Sequence, residues 1–378
     1  MIVAYFPSFP FRGQSAPYLW MFYKLLTTYG ARVHFLTDEL YRNDIETWRQ
    51  YNRWELLEDS QKRQGYRLPE SAELAAMKFT AFNSDFFCRK QAEYGGNPTL
   101  AFRDYLTVED TSLENDFYDA ISSIADVEVV LNWCNCPSLS AACKRLNIPV
   151  MNMELGPLRH PEYFSTGYLD FCGVNGNTEA AARYAVVAEE CRLDLTLEDL
   201  RGYFAKSPSP PLTNEYESGI VLQVENDSNL IAYANGFNNQ VLLDYAQLNC
   251  YDNFIVRSHP GSAFRLNDNL FQVDKSATSI DFIARCKKIF TINSSVGLEA
   301  LLMGVPVICF GDSSFKFILE AEDEKERINR LGFYLFAYLV PYSLMFDFDY
   351  IRFRLTKPSE KAIIKKHLQF YESAGITK

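Results

Sequence analysis

"FTINSSVGLEALLMGVPVICFG", residues Phe290 to Gly311, decides how the rest of the chain is read. A short apolar run ends at Thr291, and a polar turn holds Asn293, Ser294 and Ser295. An amphipathic stretch from Val296 then leads through Gly304, Val305 and Pro306 into a second apolar run. This is strand, turn, helix, strand, the unit from which parallel sheets are built. The plain role of a serine at a helix start is to cap it. The same place also presents unpaired N–H groups and the positive end of the helix dipole, which suit a phosphate without any lysine. The second half has no G-x-x-x-x-G-K-[ST] run, so it is no P-loop NTPase.

The same alternation extends outward. Upstream lie "GIVLQVE", a helical pattern near Asn239 to Leu248, "NFIVRSH", "DFIARC" and "KIFTIN". Nearer the start, Met1 to Phe6 reads as a buried strand, a helix runs from about Ala16 to Tyr29, and "ARVHFLT" is a strand. "VEVVLNW", "LSAACKRLN", "IPVMNME" and the short "FCGVNG" continue the pattern. The expected fold class is α/β, with two Rossmann-like domains facing a cleft.

Two stretches break the alternation. Residues 43–125 are charged and helical in pattern, with "WRQYNRWELLEDSQKRQ" the clearest piece, and predict a helical insertion in the N-terminal half. "KSPSPPLTNEYESG" stays extended and reads as a linker. The expected organisation is 1–205 for the first domain, 206–218 for the linker, 219–357 for the second domain, and 358–378 for a helix packing back across both. The apolar segment "LGFYLFAYLVPYSLMFDFDYIRF" is broken by Pro341 and acids, so it predicts a buried or interfacial segment. It leaves peripheral membrane contact open.

A net charge of −11 over 378 residues argues against a general nucleic-acid binder, so an anionic ligand needs a local basic or dipolar site. Four histidines and nine irregularly spaced cysteines predict no metal centre and reduced thiols in the cytoplasm. The start "MIVAYFPSFPFRG" has no basic region and is broken by prolines, unlike a signal peptide. No apolar run is long enough to span a membrane.

Chemistry concentrates at four strand ends. "MNMELGPLRHP" offers Glu154, Arg159 and His160. "LQVENDSN" offers Gln223, Glu225, Asp227 and Ser228. "VRSHPGS" offers Arg257, Ser258, His259 and Ser262, and "TINSSVGLEA" offers Asn293, Ser294, Ser295 and Glu299. Asn132 closes another strand in the first half. In open α/β sheets ligands bind beyond the carboxyl ends of the strands, which is where these groups lie. Each group also has a plain reading, as a cap, a turn or a corner. Arg257 and His259, two apart on an extended chain, fall on one side and suit an anion. Asp227 and Glu154 suit a division into nucleophile and acid/base.

Taken together, Glu154 to Arg159, Gln223 to Asp227, Ser258 to Pro260, and Ser294 to Ala300 with Gly304 to Val307 resemble the retaining β-Kdo glycosyltransferases of bacterial capsule and O-antigen synthesis, which use CMP-Kdo. The resemblance spans about Met151 to Gly311 and implies a modified GT-B arrangement. The donor would sit in the C-terminal half and the bacterial surface glycan acceptor in the N-terminal half. It implies Asp227 as nucleophile, Glu154 as acid/base, and His259 beside them. Arg257, Ser258, Gln223, Asn293, Ser294, Ser295 and Glu299 would be donor contacts, with Glu299 either on the ribose or structural. Arg159, Asn132 and Ser228 would contact acceptor or sugar. Leu155 follows Glu154 where many capsule relatives have Asp, which leaves capsule or O-antigen membership open.

CMP is a phosphate monoester, which needs hydrogen-bond donors rather than a divalent metal, and no Asp-x-Asp stands at a strand end of the second half to hold one. The resemblance therefore implies no cofactor beyond the donor substrate, and leaves open whether the chain works alone or beside partner glycosyltransferases at the inner membrane. Other readings stay open at this point: a GT-B transferase or epimerase acting on CMP-sialic acid-like or UDP-sugars, and a glycan-assembly protein without activity.

Overall fold

A computed structural model describes residues 1–7, 16–50, 54–188, 195–250 and 253–376. The chain divides into two compact units, Met1–Met153 with Ser343–Thr356, and Glu154–Tyr342 with Lys357–Lys378. The expected linker, 206–218, falls inside the second unit.

The first unit is built on β1 (Ile2–Tyr5), β2 (Val33–Thr37), β3 (Lys78–Ala81), β4 (Val129–Trp133) and the start of β5 (Val150–Leu155). These strands are parallel in the order β5-β4-β1-β2-β3. Every residue of β1 and β4 is buried, as befits central strands covered on both faces. Aromatic packing fills the core. The Tyr5 ring meets Phe117 edge-on at 4.8 Å, and Phe82 stacks on Phe117 at 4.4 Å. Aromatic residues make up 15% of the chain, and here they have a structural use.

The region expected to be all helix does hold helices, among them Ile45–Gln50, Pro98–Thr107 and Thr111–Ser122. It also holds β3, which pairs with β2 through Phe35 and Phe79. A four-residue edge strand that is nowhere fully buried lacks the apolar run by which strands are read from sequence. Thr111–Ser122 packs along helix Pro137–Arg145, where Arg145 Nη1 donates to Glu114 Oε1 at 2.9 Å. The insertion is therefore part of the sheet's own cover.

In the second unit β5 finishes at Glu154 and Leu155, followed by β6 (Thr166–Asp170). Gly156 N donates to Thr166 O at 2.8 Å. A Cβ on Gly156 would lie 2.3 Å from Thr166 Oγ1, so only glycine fits. The strand expected at Phe171–Gly176 lies just upstream, at β6. Asp170 instead folds the following residues into a turn, its Oδ1 accepting from Cys172 N at 2.7 Å and Gly173 N at 2.9 Å. A second parallel sheet has β7 (Ser218–Val221), β8 (Phe254–Arg257), β9 (Ile289–Thr291) and β10 (Val307–Cys309) in the order β10-β9-β7-β8.

The apolar late stretch is core: Leu331 and Phe333 to Val340 are buried, with a π-helical turn at Tyr334–Tyr338 and then β11 (Val340–Pro341) antiparallel to β6. The last helix, Glu360–Ser373, is capped by Ser359, whose side chain accepts from Ala362 N, and it packs on that turn. Its His367 is fully buried, with Nδ1 2.8 Å from Phe336 O. Among the described residues no helix is long and apolar enough to cross a membrane.

Candidate active site

The carboxyl ends of β7, β8 and β9 are joined by side chains. Beyond β7, Gln223 N donates to Asn239 Oδ1 at 3.0 Å, and Asn239 Nδ2 returns a bond to Gln223 O at 2.8 Å. Gln223 Nε2 donates to Asn293 Oδ1 at 2.8 Å, while Asn293 N donates to Gln223 Oε1 at 3.0 Å. Asn293 Nδ2 goes on to the carbonyls of Asn229 at 3.0 Å and Tyr233 at 3.2 Å. On the other side Ser262 Oγ donates to Glu225 Oε1 at 2.8 Å, which ties the β8 loop to the β7 loop. Burial works to raise the Glu225 carboxyl, but hydrogen bonds from its own N–H, Ser262 and Asn239 outweigh it and hold the group below its usual range.

Above this network stand the chemical groups. Asp227 caps helix Ser228–Tyr233, its Oδ1 accepting from Asn229 N at 3.0 Å, and it is half-buried, as is Ser228. His259 is exposed, and its Nδ1 accepts from Gly261 N at 2.9 Å. That bond assigns the proton of the neutral ring to Nε2. Ser294 and Ser295 are half-buried. Ser294 Oγ accepts from Val296 N at 3.3 Å, the first residue of helix Val296–Leu302.

Arg257 is less open than its place in the sequence suggests. Its Nη1 is paired with Asp274, whose side chain is fully buried, and donates to Ser276 O at 3.2 Å. Arg285 Nη1 approaches the same carboxylate at 3.3 Å. Two guanidinium groups justify one buried acid. Ser258, half-buried, follows Arg257. Asp274 and Asn239 were not singled out in the sequence. "QVDKS" gives no sign that its acid is buried, and Asn239 looked like an ordinary helix opening.

The loop after β5 belongs to the same unit. Glu154 is half-buried, with Oε1 accepting from Leu155 N at 2.8 Å. Arg159 is exposed but anchored, its Nε donating to Gly156 O at 2.8 Å. His160 Nδ1 lies 3.0 Å from Lys206 Nζ. Glu299 lies in the helix Val296–Leu302 that follows the β9 turn. It is 8% exposed, accepts from Ser279 Oγ at 2.6 Å, and is pushed up to about 7. Burial is the main cause. Glu162 adds to it, while the Ser279 bond, Arg257 and Arg159 oppose it.

Asn132 lies in the first unit. It is fully buried, with Nδ2 donating to Asn152 Oδ1 at 2.8 Å and Cys134 O at 3.0 Å, and its Oδ1 has no partner among the described residues. Among the described residues one group, Asp170, Cys172 and Glu179, brings ligand-type atoms close enough for a metal. The carboxyl of Asp170 is already taken up by three backbone N–H groups and the Tyr338 hydroxyl, so the cluster reads as a turn cap.

The Glycosyltransferase 99 family N-terminal domain matches residues 4–179, and the Capsule polysaccharide biosynthesis protein family matches residues 220–330. The chain is a glycosyltransferase related to the capsule polysaccharide biosynthesis proteins. The second match contains all three joined strand ends of this glycosyltransferase, from Gln223 to Ser295, and the first contains Glu154 and Arg159.

Solved structures similar to this transferase include two from Thermosulfurimonas dismutans KpsC. The beta Kdo 2,7 transferase has 14% identity and a TM-score of 0.45 over 85% of this chain and 99% of that one. The beta Kdo 2,4 transferase has 16% identity and a TM-score of 0.36 over 50% and 70%. A Methanocaldococcus jannaschii UDP-GlcNAc 2-epimerase has 13% identity and a TM-score of 0.29 over 87% and 90%. The family matches, not these likenesses, support the assignment. No curated protein matches the chain.

Proposed function

We propose that this glycosyltransferase moves β-Kdo from CMP-β-Kdo to a bacterial surface glycan with retention, through an adduct on Asp227. One observation supports the reading above the rest: the loop of Asp227 is bonded to the loop of His259 through Glu225 and Ser262, and to the Ser294-Ser295 turn through Gln223 and Asn293. A carboxylate, a ring N–H and two hydroxyls are thus gathered on one sheet edge without any lysine.

In the first step an Asp227 oxygen attacks the anomeric carbon of Kdo. The new ester C–O bond forms as the bond to the CMP phosphate oxygen breaks, and CMP departs with the electron pair. His259 Nε2–H and the hydroxyls of Ser294 and Ser295 hold that phosphate, and Arg257 adds positive charge behind them. In the second step an acceptor hydroxyl attacks the same carbon, Glu154 takes its proton, and the Asp227 carboxylate is released. Two displacements at one carbon return the original configuration. Arg159 suits the sugar carboxylate or the acceptor.

The test is incubation of the full chain with CMP-Kdo, CMP-sialic acid and UDP-sugars, followed by intact-protein mass measurement. CMP-Kdo should be consumed and a one-sugar adduct trapped. Asp227→Asn and Asp227→Ala should lose adduct and transfer, by about a thousandfold or more. Consumption of a UDP-sugar alone, or unchanged turnover in both variants, sinks the reading.

A further inference from the structure

Gln223 and Asn293 are 7% and 2% exposed, and their amides are bonded within the protein. Both N–H bonds of Asn293 Nδ2 end on the carbonyls of Asn229 and Tyr233, and its Oδ1 accepts from Gln223 Nε2. Gln223 Oε1 accepts from Asn293 N, 70 residues away in the chain. Gly311 closes the arrangement from the far side. A Cβ there would lie 2.6 Å from Tyr233 O and 3.2 Å from Asn293 Nδ2. One amide pair therefore fixes three things at once: the end of β7, the turn after β9, and the short helix that Asp227 caps.

We infer that Gln223 and Asn293 are positioning residues, a buried clamp setting the Asp227 carboxylate against the Ser294-Ser295 turn, rather than contacts to the donor. The inference rests on the proposed roles of Asp227 and the serines. It also makes a claim about the fold alone, that the two segments loosen together.

The experiment compares the full chain with Gln223→Ala, Asn293→Ala and the double variant. Gln223→Glu keeps an acceptor for Asn293 N but sets a buried carboxylate oxygen against Asn293 Oδ1, so it should fall with the alanine variants. Each single variant should lower kcat for nucleotide-sugar turnover about a hundredfold, because small misplacements of reacting groups are costly. The dissociation constant for CMP should stay within about threefold, and the double variant should lose no more than the worse single one, as expected of residues acting as a unit. Donor contacts would instead show CMP affinity falling with kcat held, or losses that multiply, and either result overturns the inference.

Amide hydrogen exchange supplies a readout free of activity. In each single variant residues 226–234 and 293–297 should exchange faster together. Loosening of the mutated segment alone also overturns the clamp. A wild-type chain that ignores CMP-Kdo strikes the donor reading only, since the exchange result still decides the clamp.

Discussion

The described strand ends of the two units differ. In the first unit β1 runs out into Tyr5 and Phe6, β4 into Asn132 and Trp133, and Asn152 lies beside them on β5. All five are buried; the rings pack on neighbouring aromatics, and one amide pair joins Asn132 to Asn152. In the second unit the ends of β7, β8 and β9 carry Glu225, Asp227, Arg257, His259, Ser294 and Ser295, each half-buried or exposed, above a buried layer of Gln223, Asn239 and Asn293. Both edges have amides at strand ends. What separates them, among the described residues, is the company the amides keep: buried and aromatic in one case, charged and reachable in the other. A buried amide layer serves the fold in either place, and it serves chemistry where ionisable groups stand on it.

The charged edge is not uniform, and Glu299 gives the sharpest way to divide it. Its carboxyl is raised to about 7 in the folded chain, chiefly by burial, so folding favours the protonated form. That contribution to stability is fully present below the ordinary carboxyl range and is lost as pH rises through about 7. Glu299→Gln keeps an acceptor for Ser279 and removes the titration. The variant should match wild type near pH 5 and exceed it near pH 8 by about 3 kcal/mol, read from urea unfolding at the two values. An unchanged gap across that range would mean that burial does not hold the Glu299 proton, and the division within the edge would fall.

How much of this was legible follows from the same contrast. The central strands, the last helix and the four polar strand ends could be read because they are apolar runs stopped by polar residues. β3 could not, since "KFTA" is a half-exposed edge strand lying among charged helices. The place of Arg257 could be read, but not its tie to Asp274, because a buried ion pair between residues 17 apart leaves no local pattern. Gln223 and Asn293 were legible as polar groups near a site. Their bonds to each other span the fold, so the sequence showed the residue types without what they touch.

Gly311→Ala tests whether the charged edge really stands on a tight layer. The added Cβ would meet Tyr233 O at 2.6 Å and Ile292 O at 3.1 Å, both backbone atoms that give way only if the helix or the β9 loop moves. Overpacking of this kind costs about 1–3 kcal/mol. Differential scanning calorimetry should show a lower Tm, and turnover per folded molecule should fall with it. A variant as stable and active as wild type would mean that the short helix and the β9 loop part freely, and the second edge would then be no better braced than an ordinary loop cluster.

The smallest expected effect lies at the closed edge, where Asn132→Ala asks whether that edge is only structural. Two donors are removed, leaving Cys134 O and Asn152 Oδ1 without them, and such losses in the interior are costly. Asn132 Oδ1, however, is buried without a partner among the described residues, so its removal returns part of the loss. The net destabilisation should be about 1 kcal/mol, seen as a modest drop in Tm. Transfer rate and acceptor KM should stay as in wild type, since an amide with no exposed surface has no face to offer a sugar. A raised acceptor KM with an unchanged Tm would reverse the conclusion: the strand ends of the first unit would also serve binding, and burial would no longer tell the two sets of strand ends apart.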